Sequence, residues 1–155
     1  MVTVYDANTC SVVQQVDIVD IGGLVASSTI TANQLCYGSN EGEIDVSIST
    51  GTPNYTIDYG TGSGISSTGS YTITGLTDGA YTIIITDANS CQAILNETIT
   101  EPTELQASSI SGTIACNGGT TTVTVSALGG TGPYSGTGTF TVGAGTYNYT
   151  VTDAN

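Results

Sequence analysis

The chain has 155 residues, thirteen Asp and Glu, no Lys, no Arg and no His, and a net charge of −13. Without cations it has nothing to meet a phosphate backbone or an anionic lipid surface, so nucleic-acid binding and membrane attraction are not expected. Without His or Lys it also lacks Ser-His and Cys-His nucleophiles, imidazole zinc sites and Schiff-base chemistry; a carboxylate pair of the glycosidase kind needs neither, but nothing in the sequence marks a cleft, and the chain is not expected to be an enzyme.

Gly, Thr, Ser and β-branched residues dominate, aromatics are mostly Tyr, and hydrophobic residues make up 38% of the chain. That is an all-β composition with enough apolar residues for modest cores. No run of eighteen apolar residues and no basic segment ahead of an apolar one is present, so neither a membrane span nor a signal peptide is read. Met1 stands directly against the first expected strand, as in a window or mature piece of something longer.

In chain order, Val2–Ala7 is predicted as a strand, with a turn at Asp6-Ala-Asn-Thr and a second strand, SVVQQVDIVD, over Ser11–Asp20. A lone hairpin is marginal in water, so this piece is expected to dock on something. Gly22-Gly23 makes a joint, and Leu24–Thr31 opens a new unit as strand A. In EGEIDVSIST, Ile44, Val46 and Ile48 alternate with Glu43, Asp45 and Ser47, the pattern of a half-buried strand B. After a turn at Gly51-Thr-Pro-Asn, Tyr55, Ile57 and Tyr59 mark strand C. Gly60–Gly69 is Gly/Ser-rich and weakly specified. Tyr71, Ile73 and Leu76 mark strand E; Tyr81, Ile83 and Ile85 are the core face of strand F, with Ile84 opposite. Cys91–Thr100 is strand G, and Glu101-Pro102 ends the sheet.

The F strand and its turn, YTIIITDANSC at Tyr81–Cys91, recur as VTVYDANTC at Val2–Cys10 and YNYTVTDAN at Tyr147–Asn155. Three copies of one strand-and-turn motif mean a tandem repeat. CNGGTTTVTVSALGGTGPY, from Cys116, matches the Cys36–Tyr55 region, and Phe140 with Val142, then Tyr147, Tyr149 and Val151, supply strands E and F. The last copy is shorter by fourteen residues around strands C to E. The expectation is all-β: tandem immunoglobulin-like β-sandwiches with incomplete units at both ends, as a hairpin over 1–22, a complete repeat over 23–102 and a shorter repeat over 103–155.

Two readings of the ends stay open. The chain is a window on a longer array, or the N-terminal hairpin of one subunit completes the C-terminal sandwich of the next by strand addition. The second contact would not close and would give a filament.

These residues resemble the SprB-type and related immunoglobulin-like repeats of very large surface proteins of Bacteroidota, gliding-motility adhesins among them. The resemblance rests on YTIIITDANSC with TITEPTEL at Thr98–Leu105, on Cys116–Tyr134, and on GTGTFTVGAGTYNYTVTDAN at Gly136–Asn155. DIVDIGGLVAS at Asp17–Ser27 departs from it, standing where the family has a Glu-Pro joint. The resemblance implies an extracellular, cell-surface protein with a structural or adhesive role and no catalysis.

Four cysteines, Cys10, Cys36, Cys91 and Cys116, recur at spacings of 81 and 80 residues, two per repeat. In an acidic, weakly cored β chain this reads as disulfides and an oxidising compartment. Within one sandwich, Cys36 and Cys91 belong to opposite poles, roughly 25–35 Å apart, against the ~7 Å a bridge allows. Pairing Cys10 with Cys36 and Cys91 with Cys116 requires the strands between them to fold back. The geometry favours the A–B cysteine of one unit meeting the F–G cysteine of the next; free buried thiols are the plain alternative.

Other candidates are weaker. Asp6, Asp87 and Asp153 place a carboxylate beside an amide in each turn, which suits calcium, although two oxygens fall short of its six or more ligands and turn chemistry alone explains the residues. Asn54, Asn96 and Asn148 match the N-x-Thr glycan acceptor pattern, which also arises by chance in a Thr-rich chain. The first expectation for function is a structural subunit or segment of an extracellular filament or adhesin stalk, assembled head to tail with copies of itself or neighbouring repeats, strand complementation being one mode. The alternative is a calcium- or glycan-binding recognition module. That module would show an exposed aromatic patch, whereas almost every Tyr here is expected on a core face.

Overall fold

A computed structural model describes residues 2–15 and 23–155. Val2–Tyr5 (β1) and Ser11–Gln14 (β2) form the expected hairpin, in register Val2↔Gln14 to Tyr5↔Ser11. Residues 16–20 of the expected second strand and Gly22 of the expected joint lie outside the described residues. The hairpin pairs only with itself among the described residues, and Val2, Val4, Tyr5, Val12 and Val13 are all exposed.

The second unit carries seven strands: Val25–Ala32 (β3), Gly42–Thr50 (β4), Tyr55–Asp58 (β5), Ser63–Ser66 (β6), Ser70–Leu76 (β7), Gly79–Thr86 (β8) and Gln92–Ile99 (β9). They form an antiparallel three-stranded sheet, β3-β4-β7, and an antiparallel four-stranded sheet, β6-β5-β8-β9. Alternation decides the inner faces. Ile44 and Val46 of β4 and Ile73 and Leu76 of β7 meet Tyr55 and Ile57 of β5, Tyr81, Ile83 and Ile85 of β8 and Ile99 of β9 in one core. The fold is thus all-β, with an apolar layer between two sheets as in a β-sandwich. Each fully buried Ile side chain stabilises it by about 1.5–3 kcal/mol relative to exposure.

Two details of this core follow from glycine. The β4–β7 pairing shifts register between Gly42 and Ile44. A Cβ at Gly42 would lie 2.8 Å from both the Leu76 carbonyl oxygen and Ile99 Cγ2, so only glycine fits where strand ends converge. The Gly/Ser-rich stretch expected to be weakly specified instead contains β6, the seventh strand, paired with β5 from Tyr55↔Ser66 to Asp58↔Ser63. Its glycines make room for rings: the Tyr59 ring lies over Gly62 and the Tyr71 ring over Gly64. Burial, with the neighbouring Tyr71 hydroxyl, raises the Tyr59 phenol above its ordinary pKa.

The third unit has one sheet, Gln106–Ser111 (β10), Thr121–Leu128 (β11) and Gly138–Val142 (β12), in the order β10-β11-β12. Val123 and Val125 are its buried residues, and Phe140 stacks on Tyr149 at 4.7 Å. Phe140 and Val142 occupy a strand as expected, but Tyr147, Tyr149 and Val151 do not: around them only the bridge Ser135↔Thr152 forms. The fourteen residues missing from this repeat lie around strands C to E, and Ser135, which matches Thr56 at the start of β5, makes that single bridge where Thr56 pairs with Thr86 in a full ladder. Tyr5, Tyr37, Tyr134 and Tyr147 are exposed, contrary to the expectation that almost every Tyr faces a core. No helix among the described residues is long and apolar enough to cross a membrane.

Candidate functional site at the Asp-Ala-Asn turns

Each Asp-Ala-Asn turn is built by its Asp. In the hairpin, Asp6 Oδ1 accepts the backbone N–H groups of Asn8 at 2.8 Å and Cys10 at 2.9 Å, while Asp6 N–H donates to the Cys10 carbonyl at 2.9 Å. After β8, Asp87 Oδ1 accepts from Asn89 and Cys91, both at 2.9 Å, and Asp87 N–H donates to the Cys91 carbonyl at 3.0 Å. The turn closes through Thr9 and Ser90, which hold φ of 68° and 66°. Such local side-chain bonds to nearby backbone groups are what Asp offers a turn.

In the two units after the hairpin, the Asp does a second job. Asp87 Oδ2 accepts the N–H of Thr52 at 2.9 Å, Ala88 N–H donates to the Thr52 carbonyl at 3.2 Å, and Asn89 Nδ2 donates to Thr52 Oγ1 at 2.6 Å. The turn is thereby clamped to the B–C turn. The third unit repeats this: Asp153 Oδ2 accepts from Thr131 at 2.9 Å, and Ala154 N–H donates to the Thr131 carbonyl at 2.9 Å. Asp87 is buried, and the N–H groups around it, that of Thr52 first, lower its pKa below the ordinary carboxylate value against the opposing effect of burial.

The three calcium candidates therefore stay apart, one per turn, and at Asp87 and Asp153 both carboxylate oxygens already accept N–H bonds. Among the described residues no group of three or more His, Cys, Asp and Glu could hold a metal ion. Asn54 lies in an exposed turn at φ 60°, Asn96 accepts a bond from Thr82 Oγ1 at 3.0 Å on β9, and Asn148 is exposed in the unpaired segment. All four cysteines are free thiols, so the expected disulfides are not formed in this structure; three are exposed and Cys91 is half-buried, so they are not buried thiols either. Cys36 and Cys116 sit in the loops after β3 and β10, Cys10 and Cys91 in the Asp-Ala-Asn turns.

A junction between units gathers several of these residues. Asn155 Nδ2 donates to the Leu35 carbonyl at 2.7 Å, 120 residues away in sequence. Cys36 and Tyr37 line a cavity of about 310 Å³ with Leu105, Gly130 and Asp153. Glu101 of the Glu-Pro linker accepts the Gly38 N–H at 2.8 Å, and Gly130 N–H donates to the Thr103 carbonyl at 2.7 Å. The A–B loop of one unit thus sits on the Asp-Ala-Asn and B–C turns of the next. Gln34 supports that loop from beneath. It is buried, its Nε2 donates to the Leu76 carbonyl at 2.5 Å, and its Oε1 accepts from Ser39 Oγ at 2.5 Å and Glu41 N–H at 3.1 Å. Sequence reasoning missed Gln34, Thr52 and Thr131; the signal for the threonines was their shared place after Gly51 and Gly130.

Comparisons with family models, with curated proteins and with solved structures give no match.

Proposed function

We propose that the chain is a structural segment of an extracellular filament or adhesin stalk, made of immunoglobulin-like β-sandwich units set head to tail. The observation that carries this reading is the junction: the A–B loop of the 23–102 unit is bonded to the following unit through Leu35 and Asn155 and to the linker through Gly38 and Glu101. Bonds on both sides of one short loop restrict bending, which a stalk needs and a flexibly tethered module does not. The carboxylates being consumed by backbone groups, the acidic turns serve architecture. Strand complementation remains part of the proposal, supported by the exposed apolar residues of the β1–β2 hairpin and the unpaired segment around Tyr147–Val151.

Backbone relaxation by nuclear magnetic resonance tests the stiffness. The 23–102 and 103–155 units should report one common rotational correlation time. Two independent times, with the Gly38 amide exchanging freely, would show a flexible string and remove the structural reading. Surface location is tested on intact cells with a broad-specificity protease, because trypsin finds no Lys or Arg to cut.

A further inference from the structure

The junction has two halves, and the 23–102 and 103–155 units each carry one copy of both. The loop half is the turn at 36–39, closed by Ser39 N–H on the Cys36 carbonyl at 3.2 Å with Gly38 at φ 69°. The third unit holds the same turn at 116–119, closed by Gly119 N–H on the Cys116 carbonyl at 3.0 Å with Gly118 at φ 76°, and Ala115, Cys116, Asn117 and Gly118 are exposed. The receiving half is an Asp-Ala-Asn turn clamped to a B–C turn. In the 23–102 unit this half, around Asp87, Asn89 and Thr52, has Ala88, Asn89 and Ser90 exposed. The hairpin turn at Asp6 has no B–C turn among the described residues and so offers only part of it.

We propose that the 87–91 turn with Thr52 is a docking surface for the 115–119 loop of a second copy of this chain, in which Asn89 Nδ2 donates to the Ala115 carbonyl as Asn155 Nδ2 donates to that of Leu35. This rests on the head-to-tail reading above. Two observations select the partner. Asn89 spends one amide hydrogen on Thr52, leaving the second to donate. Charge favours this pairing over its alternatives: eight of the thirteen acidic side chains lie in 23–102 and two in 103–155, and the docking loop carries none. Docking the nearly neutral unit onto the acidic one avoids the repulsion of two acidic units.

Within one chain the linker supplies an effective concentration on the order of millimolar, which a second copy lacks, so the contact is weak and needs covalent trapping. Two versions of the full chain are mixed, one keeping only Cys116 and the other only Cys91, the remaining cysteines changed to Ser. Diamide removes both thiol hydrogens, forming one S–S bond as its N=N bond is reduced to the hydrazine. The expected result is a mixed dimer about tenfold over either homodimer, increasing with salt as the acidic charge is screened. A binomial mixture, or preferential trapping of Cys116 by a copy keeping only Cys10, overturns the proposal. Sedimentation of the unaltered chain separates this surface from strand complementation: self-association without Cys91–Cys116 trapping removes this surface and leaves strand complementation, and a monomer at all concentrations without trapping removes both, while the stiffness of the junction between the 23–102 and 103–155 units tests the head-to-tail reading by itself.

Discussion

Asp87 holds the backbone N–H of Thr52 at 2.9 Å across thirty-five residues, tying the turn after β8 to the turn before β5. The bond joins the two ends of the central pair of strands in the four-stranded sheet, and the Asp153–Thr131 bond repeats it at the same length.

Asp87→Asn should lower the melting temperature by several degrees, because an amide offers one acceptor oxygen where three N–H groups converge. The pH dependence has a definite sign. The folded pKa of Asp87 is depressed, so its contribution is fully present above the ordinary Asp value near 3.8 and is lost as pH falls through the lower folded value. Melting curves from pH 6 downwards, at about half-unit steps, should therefore show the gap between wild type and Asp87→Asn narrowing in acid. A gap that stays constant would mean the carboxylate charge plays no part.

Gln34→Leu tests the support beneath the A–B loop. The substitution keeps the volume and leaves the Leu76 carbonyl and the Glu41 N–H without their partner. A loss of about 1–3 kcal/mol is expected from leaving the buried Leu76 carbonyl without this donor, read by urea unfolding. Hydrogen exchange at Gly38 and Glu41 should quicken in parallel.

Ile57→Ala and Ile65→Ala differ by one layer of the same hairpin. Ile57 is fully buried and Ile65 is 76% exposed on β6. The first should cost about 2–5 kcal/mol and the second less than about 0.5 kcal/mol. Equal costs would mean the β5–β6 register is not the one described.

Gly129→Ala strikes the junction from the other side. Gly129 has φ 76°, and a Cβ there would stand 2.0 Å from the Glu104 carbonyl oxygen. The left-handed conformation alone costs a non-glycine residue about 1–2 kcal/mol, and the clash with linker backbone adds to it. Gly143→Ala, where a Cβ meets nothing within 4 Å, is the control and should leave stability unchanged.

The all-β class and the core of the 23–102 unit were legible because their signals are local and periodic. Ile44, Val46, Ile73, Ile83 and Ile85 alternate in the sequence and are buried as the alternation requires. The Asp-Ala-Asn turns were legible too, since Asp bonds its own neighbours. Strand β6 was hidden because its glycine, Gly64, answers to the ring of Tyr71, which arrives from β7, and Gly62 just before it to the ring of Tyr59. The segment around Tyr149 has the alternation of a strand and forms none, because alternation says which face is apolar and nothing about whether a neighbour is there to pair. Gln34 and Thr52 act through bonds spanning 42 and 35 residues, and one sequence gives no hint of such pairs.

Leu35 and Gly38, held by Asn155 and Glu101, fix how one unit is rotated and shifted relative to the next. Applied again and again, a fixed rotation and shift is a screw operation. An array built on this junction winds as a helix of constant pitch, and the side chains that set the pitch are the few that touch that loop.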